Sequence, residues 1–390
     1  MSVEVVTLGC RLNISESEKM RAMLGAADDL VVINSCAVTS EAVRQTRRAI
    51  RRARRDRPNA RLLVTGCAAE VEREMIAAMP EVDGLIANAL KLDPRQWNAP
   101  VAVERPQSRH TRAFVQVQNG CDHACTFCVI PQGRGSARSL TVPEVLREVA
   151  GHVENGTGEV VLTGVDLTSW GNDLEGSPAL GRLVSAILNT FPALPRLRLS
   201  SIDGAEIDDE LFDLIAHHPR MMPHVHLSLQ SGDDMVLKRM KRRHSRADAI
   251  SLVQRLRAHR PNLGLGADII AGFPTETDDM HARNVSIVAE LGIVHGHVFP
   301  FSPRPGTPAA RMPQVDPARV KARAAEVRDA VAQERLRWMQ SHIGQPLSVL
   351  AERDGTGHAE NFAPVTLPAN TRAGEIVMIT PRAMMDGMLV

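Results

Sequence analysis

The segment that decides the fold reads Phe114-Val-Gln-Val-Gln-Asn-Gly-Cys121-Asp-His-Ala-Cys125-Thr-Phe-Cys128. Its alternating first half predicts a strand, and the Asn-Gly pair predicts a turn after it. Three cysteines then share one loop at the carboxyl end of that strand, where barrel folds carry their chemistry. Three thiolates spaced C-x3-C-x2-C can hold three irons of a four-iron cluster and leave the fourth iron open. A zinc site with His123 as fourth ligand, or buried structural thiols, are the alternatives.

The central region repeats a strand and a helix six times. Its predicted strands are Phe114–Gln118, Glu159–Thr163, Arg196–Ser200, Val225–Leu229, Gly266–Ile270 and Val294–Phe299. Six such repeats predict an α/β domain, a partial (βα)6 barrel over residues 106–342 that remains open.

Residues 1–105 alternate in the same way on a smaller scale and predict a doubly wound parallel sheet. Cys10, Cys36 and Cys67 each come just past one of its first three strands. The carboxyl ends of parallel strands share one edge, so we expect these three thiols to converge and to hold a second cluster. Three scattered buried cysteines are the alternative.

The last segment, residues 343–390, is rich in strand formers and turns and predicts a small β-barrel. It carries three arginines against five acidic residues, which makes it a poor phosphate binder by itself. Residues 93–110 read as a linker between the first two domains.

Composition narrows the possible functions. The 390 residues include 46 Lys and Arg against 45 Asp and Glu, so any nucleic-acid contact must come from a local patch. One such patch is predicted on a helix, where four arginines fall on one face: Arg44, Arg48, Arg51 and Arg55. A merely solvated charged face is the alternative. No stretch approaches the roughly 18 apolar residues of a membrane span, and six cysteines without a secretion signal predict a cytoplasmic metal protein.

The cysteine loop with Phe127 before its last cysteine resembles the signature of the radical S-adenosylmethionine (SAM) enzymes. The resemblance implies a [4Fe–4S] cluster on Cys121, Cys125 and Cys128, SAM on the open iron, and Phe127 near the adenine. Further cofactor contacts are then expected at the ends of the following strands, although these could be ordinary polar residues of the barrel mouth. The candidates are Gly164, Asp166, Ser201, Gln230 and Asp268.

The contexts Leu8-Gly-Cys10, Asn34-Ser-Cys36 and Gly66-Cys67, with Gly133-Arg-Gly135 and the C-terminal segment, resemble the methylthiotransferases over nearly the whole chain. That family implies a second [4Fe–4S] cluster on Cys10, Cys36 and Cys67, and a C-terminal TRAM module. SAM then serves as both methyl donor and radical source.

Other stretches, among them Val298-Phe-Pro-Phe-Ser-Pro-Arg-Pro-Gly-Thr-Pro308, resemble the branch that modifies carbon 2 of N6-threonylcarbamoyladenosine at position 37 of tRNA. Expected partners are tRNA, an electron donor such as a flavodoxin or ferredoxin, and a sulfur source, with no membrane. The alternatives are isopentenyladenosine-37 in tRNA, an aspartate of a ribosomal protein, or a non-catalytic metal-containing RNA-binding protein.

Overall fold

The computed structural model describes residues 3–25, 29–98 and 111–390. The chain divides into two compact units. The first comprises Met1–Arg109, Gln118–Arg138 and Ser302–Ala310, and the second comprises His110–Val117, Ser139–Phe301 and Arg311–Val390. Most of the predicted linker and the predicted boundary at residues 105 and 106 lie outside the described residues, so the three-domain limits stay a prediction.

Helices and strands alternate through most of the chain. The helices are α1 (Arg11–Leu24), α2 (Ser40–Asp56), α3 (Cys67–Val71), α4 (Arg73–Ala77), α5 (Ile130–Arg134), α6 (Val142–Glu154), α7 (Leu180–Thr190), α8 (Asp209–His217), α9 (Asp234–Met240), α10 (Arg246–His259), α11 (Asp278–Leu291) and α12 (Pro317–Gln340). The strands are β1 (Glu4–Thr7), β2 (Leu30–Ser35), β3 (Arg61–Gly66), β4 (Gly84–Leu85), β5 (Arg112–Gln116), β6 (Gln118–Asn119), β7 (Arg138–Ser139), β8 (Glu159–Thr163), β9 (Arg196–Leu199), β10 (Ser201–Ile202), β11 (His224–Gln230), β12 (Gly264–Ala271), β13 (Ile293–Pro300), β14 (Leu347–Ala351), β15 (Thr356–Ala359), β16 (Pro364–Thr366), β17 (Ile376–Ile379), β18 (Met384–Met385) and β19 (Met388–Leu389).

The first unit is built on a parallel sheet in the order β1-β2-β3-β4. All six residues of β2 are buried, as expected for a central strand covered on both faces. Helix α2 shows why its sequence folds as it does. The Thr39 side chain caps its first turn, and a buried stripe of Val43, Thr46, Ile50 and Ala53 faces the sheet.

The second unit contains the six predicted parallel strands. They pair as β5-β8-β9 and β10-β11-β12-β13, and β9 and β10 are consecutive parts of one segment. The main apolar core of this unit lies between these strands and the helices that follow them. The predicted α/β fold class is confirmed.

The C-terminal segment forms a six-stranded, mostly antiparallel sheet in the order β17-β14-β15-β16-β19-β18. It contacts the amino ends of the parallel strands in the same unit. The Arg196 guanidinium donates to the Ser348 carbonyl at 2.8 Å, and Phe362 lies with its ring centroid 5.0 Å from the Arg198 guanidinium carbon. Contacts at the amino ends of barrel strands serve stability rather than chemistry.

A set of arginine and glutamate side chains forms this junction, and we call it the strand-start network. Its members are Arg112, Glu159, Arg196, Arg198 and Glu352. Glu159 is fully buried, with Arg198 bidentate on its carboxylate at 2.8 and 3.0 Å and Arg112 at 2.9 Å. Arg112 also pairs with Glu352 of the C-terminal segment.

Within the described residues, no helix has the length and apolar character needed to cross a membrane.

Candidate functional site

The structure brings the first three cysteines to one edge of the sheet of the first unit. Cys10 precedes α1, Cys36 follows β2, and Cys67 begins α3 at the end of β3. Cys36 and Cys67 are buried and Cys10 is exposed. Burial raises the pKa of the Cys36 thiol, and Cys10 and Cys67 lie close enough to raise it further. The predicted convergence of the three thiols is therefore present in the folded chain.

Two glycines let the backbone bring these cysteines together. Gly9 and Gly66 each precede a cysteine and have φ of +99° and +92°. A Cβ at Gly9 would lie 2.9 Å from the Cys36 Sγ, and a Cβ at Gly66 would lie 2.4 Å from the Ser35 carbonyl oxygen. Only glycine fits such a left-handed backbone with so close a neighbour.

The other three cysteines share the loop between β6 and α5, also in the first unit. The Cys121 amide donates to the Gly135 carbonyl at 3.1 Å, which closes the loop at its base. The backbone amide of His123 donates to the Cys121 Sγ, and that of Ile130 donates to the Cys128 Sγ, both at 3.4 Å. Amide donors aimed at sulfur stabilise thiolates, the form that ligates iron.

Segment Ser302–Ala310 supports this loop from within the same unit. The Ala309 amide donates to the Thr126 carbonyl at 2.9 Å. Arg304, which is 3% exposed, pairs with Glu72 at 2.9 Å. The proline-rich stretch that resembles the threonylcarbamoyladenosine branch thus ends beneath the cysteine loop.

Three charged side chains lie buried beside the first cysteine set, and we call them the cysteine-side network: Glu16, Lys91 and Arg134. Arg134 donates to Glu16 at 2.8 Å and to the Asn13 side-chain oxygen at 2.5 Å. Lys91 pairs with the same Glu16 carboxylate and donates to the Asn34 side-chain oxygen at 3.3 Å. The Glu16 carboxylate is therefore paired with two cations.

The electrostatics of this region fit an iron–sulfur cluster. Burial raises the pKa of the Cys36 thiol to about 11, and the Arg134 guanidinium opposes that shift. Burial would also raise the pKa of Glu16, but Lys91 and Arg134 outweigh it and hold that pKa below its ordinary value. Three soft thiolate donors with cations behind them suit an anionic thiolate-bound metal centre.

Four of the predicted cofactor residues of the second unit lie at the carboxyl ends of its strands, whereas Asp268 lies within β12. Gly164 and Asp166 follow β8, and Ser201 lies in β10. The Asp166 carboxylate accepts a hydrogen bond from the Ser169 hydroxyl at 2.7 Å. Gln230 ends β11 with φ of +68°, a strained conformation for a non-glycine residue of the kind that clusters at functional sites. Their role in SAM binding stays a prediction, as does that of Phe127 in the first unit.

Asp268 contacts two histidine side chains, which its position in the sequence does not indicate. Its Oδ1 lies 3.1 Å from both His226 Nε2 and His297 Nδ1. Burial raises the pKa of Asp268, but hydrogen bonds from the two imidazoles hold it far below its ordinary range. His226 is buried, whereas the His297 side chain is 62% exposed. Asp268 thus orients two imidazoles on neighbouring strands, a pairing that spacing along the sequence does not reveal.

The arginine-rich helix α2 exposes all four residues predicted to contact RNA: Arg44, Arg48, Arg51 and Arg55. Arg44 pairs with Glu41, and Arg55 lies 3.4 Å from Asp56. The neighbouring Arg54 instead faces inward, where its guanidinium donates to the Ala60 carbonyl at 2.7 Å and to Asp83 at 2.6 Å.

Comparison with known proteins places the chain in a family. Residues 115–284 match the "Radical SAM superfamily", and residues 2–87 match the "Uncharacterized protein family UPF0004". The chain is 46% identical to "Threonylcarbamoyladenosine tRNA methylthiotransferase MtaB" of Rickettsia prowazekii, over 96% of this chain and 93% of that protein. The chain belongs to the radical SAM methylthiotransferase family. This confirms the family identified from the cysteine motifs.

More distant methylthiotransferases match over a similar length. The Thermotoga maritima protein of the same name is 34% identical over 90% of this chain and 86% of its own. The "tRNA-2-methylthio-N(6)-dimethylallyladenosine synthase" of Roseobacter denitrificans is 31% identical over 90% and 88%. Among solved structures, the radical SAM methyltransferase TsrM of Kitasatospora setae matches with a TM-score of 0.53 at 16% identity, over 77% of this chain and 68% of that one. The last match supports the fold alone.

As a radical SAM methylthiotransferase, the chain uses SAM and [4Fe–4S] clusters, as the sequence predicted. Which cysteines hold the clusters stays a prediction. Sequence reasoning missed Glu16 and Lys91 entirely, because a single buried glutamate or lysine gives no periodic signal. Arg134 had a signal, since it lies in the Gly-Arg-Gly motif after the cysteine loop.

Proposed function

We propose that this methylthiotransferase modifies carbon 2 of N6-threonylcarbamoyladenosine at position 37 of tRNA. The observation that carries the proposal is the 46% identity, over nearly the full length of both chains, to a relative named for that reaction. The relatives named for dimethylallyladenosine are less similar, at 30 to 32%. The presence of two cysteine sets in the first unit supports the same chemistry.

We assign one [4Fe–4S] cluster to Cys121, Cys125 and Cys128, and the other to Cys10, Cys36 and Cys67. When bound, the clusters and SAM would supply the deoxyadenosyl radical and the sulfur that an unactivated aromatic C–H requires. The role of the chain's own residues is to hold and orient the cysteine ligands. Backbone amides of the loop donate to Cys121 and Cys128, and Gly9 and Gly66 admit the close approach of the strand ends. An electron donor such as a flavodoxin or ferredoxin, and a sulfur source, complete the reaction.

We assign tRNA contact to the exposed arginines of α2, because guanidinium groups bind phosphate well. The C-terminal sheet has a different assignment in this proposal. Its contacts with Arg112, Arg196 and Arg198 and its net acidic composition favour a stabilising role. A tRNA substrate also implies a cytoplasmic location.

The test is nucleoside mass spectrometry of tRNA from cells with and without the gene. Loss of 2-methylthio-N6-threonylcarbamoyladenosine, with the unthiolated nucleoside accumulating, is the expected result. Complementation with the wild-type chain and with Arg95→Gln, an exposed matched control, should restore the nucleoside, whereas Cys36→Ala and Cys121→Ala should not. A change only in the dimethylallyl nucleoside would refute the substrate, and no change in any tRNA nucleoside would refute tRNA as the target.

A further inference from the structure

The cysteine-side network carries an unbalanced charge deep in the first unit. Glu16, Lys91 and Arg134 are 0%, 2% and 4% exposed. Burial lowers the pKa of Lys91, and its two acceptors, the Glu16 carboxylate and the Asn34 side-chain oxygen, favour the ammonium form against that shift. Two cations on one carboxylate leave a net charge of +1 for these three groups. Burying a surplus charge is costly unless an opposite charge lies nearby.

The cysteines supply that opposite charge. Asn13 accepts from Arg134 and lies 3.8 Å from the Cys10 Sγ, so it bridges the guanidinium and a thiol. The Asn88 amide lies 3.9 Å from the Cys67 Sγ. Arg134 lies close enough to Cys10 and Cys67, and Lys91 close enough to Cys67, for thiolates at these positions to interact with their charges. The surplus positive charge therefore faces this cysteine set.

Arg134 lies beside the first cysteine set because of its position in the chain. Helix α5 begins two residues after Cys128, so a short segment leads from one cysteine set to the other. Gly133 packs directly on Cys67, since a Cβ added to it would lie 3.3 Å from the Cys67 Cβ. The Gly133 carbonyl also accepts from Asn88 at 2.5 Å. Helix α5, which follows the radical SAM cysteines, thus packs against Cys67 of the other set.

We propose that Arg134 and Lys91, balanced by Glu16, set the charge of the Cys10, Cys36 and Cys67 site and thereby raise the reduction potential of the cluster it holds. This inference rests on the cluster assignment made under the proposed function. A [4Fe–4S] core of charge +2 held by three thiolates has a net charge of −1, which the network's surplus of +1 offsets. Adding an electron makes the site more negative, so nearby cations favour the reduced form. Arg134, Lys91 and Glu16 are positioning and tuning residues, and they do not touch the reacting atoms.

The test isolates this cluster in the full-length chain by replacing Cys121, Cys125 and Cys128 with alanine. After anaerobic reconstitution, an EPR-monitored redox titration measures the potential of the remaining cluster. Arg134→Gln and Lys91→Gln should each lower it, and Glu16→Gln should raise it. We expect at least a tenfold change in the reduced-to-oxidised ratio at a fixed potential, which is about 59 mV for one electron.

Two controls separate charge from structure. Arg134→Lys keeps the charge and should stay close to the parent potential. Arg95→Gln makes the same arginine-to-glutamine change at an 87% exposed side chain in the first unit and should leave the potential unchanged. A purely structural salt bridge would lower iron content in all three network variants and would not move the potential in opposite directions.

The outcomes are distinguishable. A potential that rises in Glu16→Gln and falls in Arg134→Gln supports the inference, and if one variant loses its cluster the other decides by its direction. Shifts of one sign in all variants, no shift, or loss of iron from every variant would overturn it while leaving the function in place. Absence of iron from the triple-alanine parent itself would instead refute the cluster assignment, and the inference with it.

Discussion

Two of the buried ionic networks in the described part of the chain use the same residue types for different ends. The strand-start network surrounds the fully buried Glu159 with Arg112 and Arg198 and joins the parallel strands to the C-terminal sheet. The cysteine-side network surrounds Glu16 with Lys91 and Arg134 and lies against thiols. Both consist of buried salt bridges, yet only the second has titratable sulfur beside it.

The difference shows that a buried ion pair does not by itself indicate function. The residues beside an ion pair indicate whether it has a function, because burial shifts the pKa of a carboxylate wherever it occurs. At Glu159 burial raises the pKa and the guanidinium groups of Arg198, Arg112 and Arg196 lower it, to about 2 overall. The network lies at the amino ends of the strands, where stability rather than chemistry resides. Variants of the two networks should therefore fail in different measurements.

The largest expected effect comes from Glu159→Ala. It leaves the buried Arg198 without its carboxylate and Arg112 with Glu352 alone, which should lower the free energy of unfolding by about 3–5 kcal/mol. Urea unfolding measures this loss, with Glu175→Ala, an exposed change in the same unit, as the control. Iron content per folded chain should stay constant. A loss below about 1 kcal/mol would mean that the network is not the main link to the C-terminal sheet.

Two glycines that flank the Cys121 loop test how its backbone supports iron binding. Gly120 and Gly135 have φ of +73° and +75°, but a Cβ at Gly120 would lie 1.9 Å from the Ser136 carbonyl oxygen, whereas one at Gly135 meets nothing within 4 Å. Gly135→Ala should cost about 1–3 kcal/mol of backbone strain and keep its iron. Gly120→Ala should cost more and lose the iron of the Cys121 loop, about half the total, in a colorimetric iron assay. Equal iron content in the two variants would contradict this.

Acid provides a finer test of the strand-start network. The pKa of Glu159 falls from its ordinary 4.5 to about 2 on folding. A depressed folded pKa stabilises the protein above pH 4.5, and that contribution is lost as pH falls toward 2. The stability gap between wild type and Glu159→Gln, on the order of 3 kcal/mol at neutral pH, should therefore narrow across this range. Urea midpoints at a series of pH values measure it, and a constant gap would contradict the assignment.

The sequence predicted the parallel strands and the cysteine sets because both leave local marks: short apolar runs between helical stretches, and thiols at strand ends. It could not predict the two networks. Glu16 and Asn13 lie on α1 among other buried polar residues, and polar residues normally indicate an exposed face. In the C-terminal strand Thr356–Ala359, glycine and histidine weaken the strand pattern of the sequence. Residues that meet only through tertiary packing, such as His226, Asp268 and His297, leave no mark in the spacing.

The smallest effect on stability is expected for exposed arginines that belong to neither network. On α2, Arg48 and Arg52 are exposed with no ion-pair partner among the described residues, whereas Arg54 is held by backbone carbonyls and Asp83. Replacing both Arg48 and Arg52 with glutamine should leave unfolding unchanged but weaken tRNA binding several-fold. The slope of log affinity against log salt concentration should also become shallower, by about one for each phosphate that is no longer neutralised. Arg54→Gln should do the reverse, lowering stability by about 1–3 kcal/mol and sparing the affinity of the folded protein. Fluorescence anisotropy across a salt series measures the affinities and urea unfolding the stabilities, and equal affinity losses in the two variants would show that exposure on α2 does not decide tRNA contact.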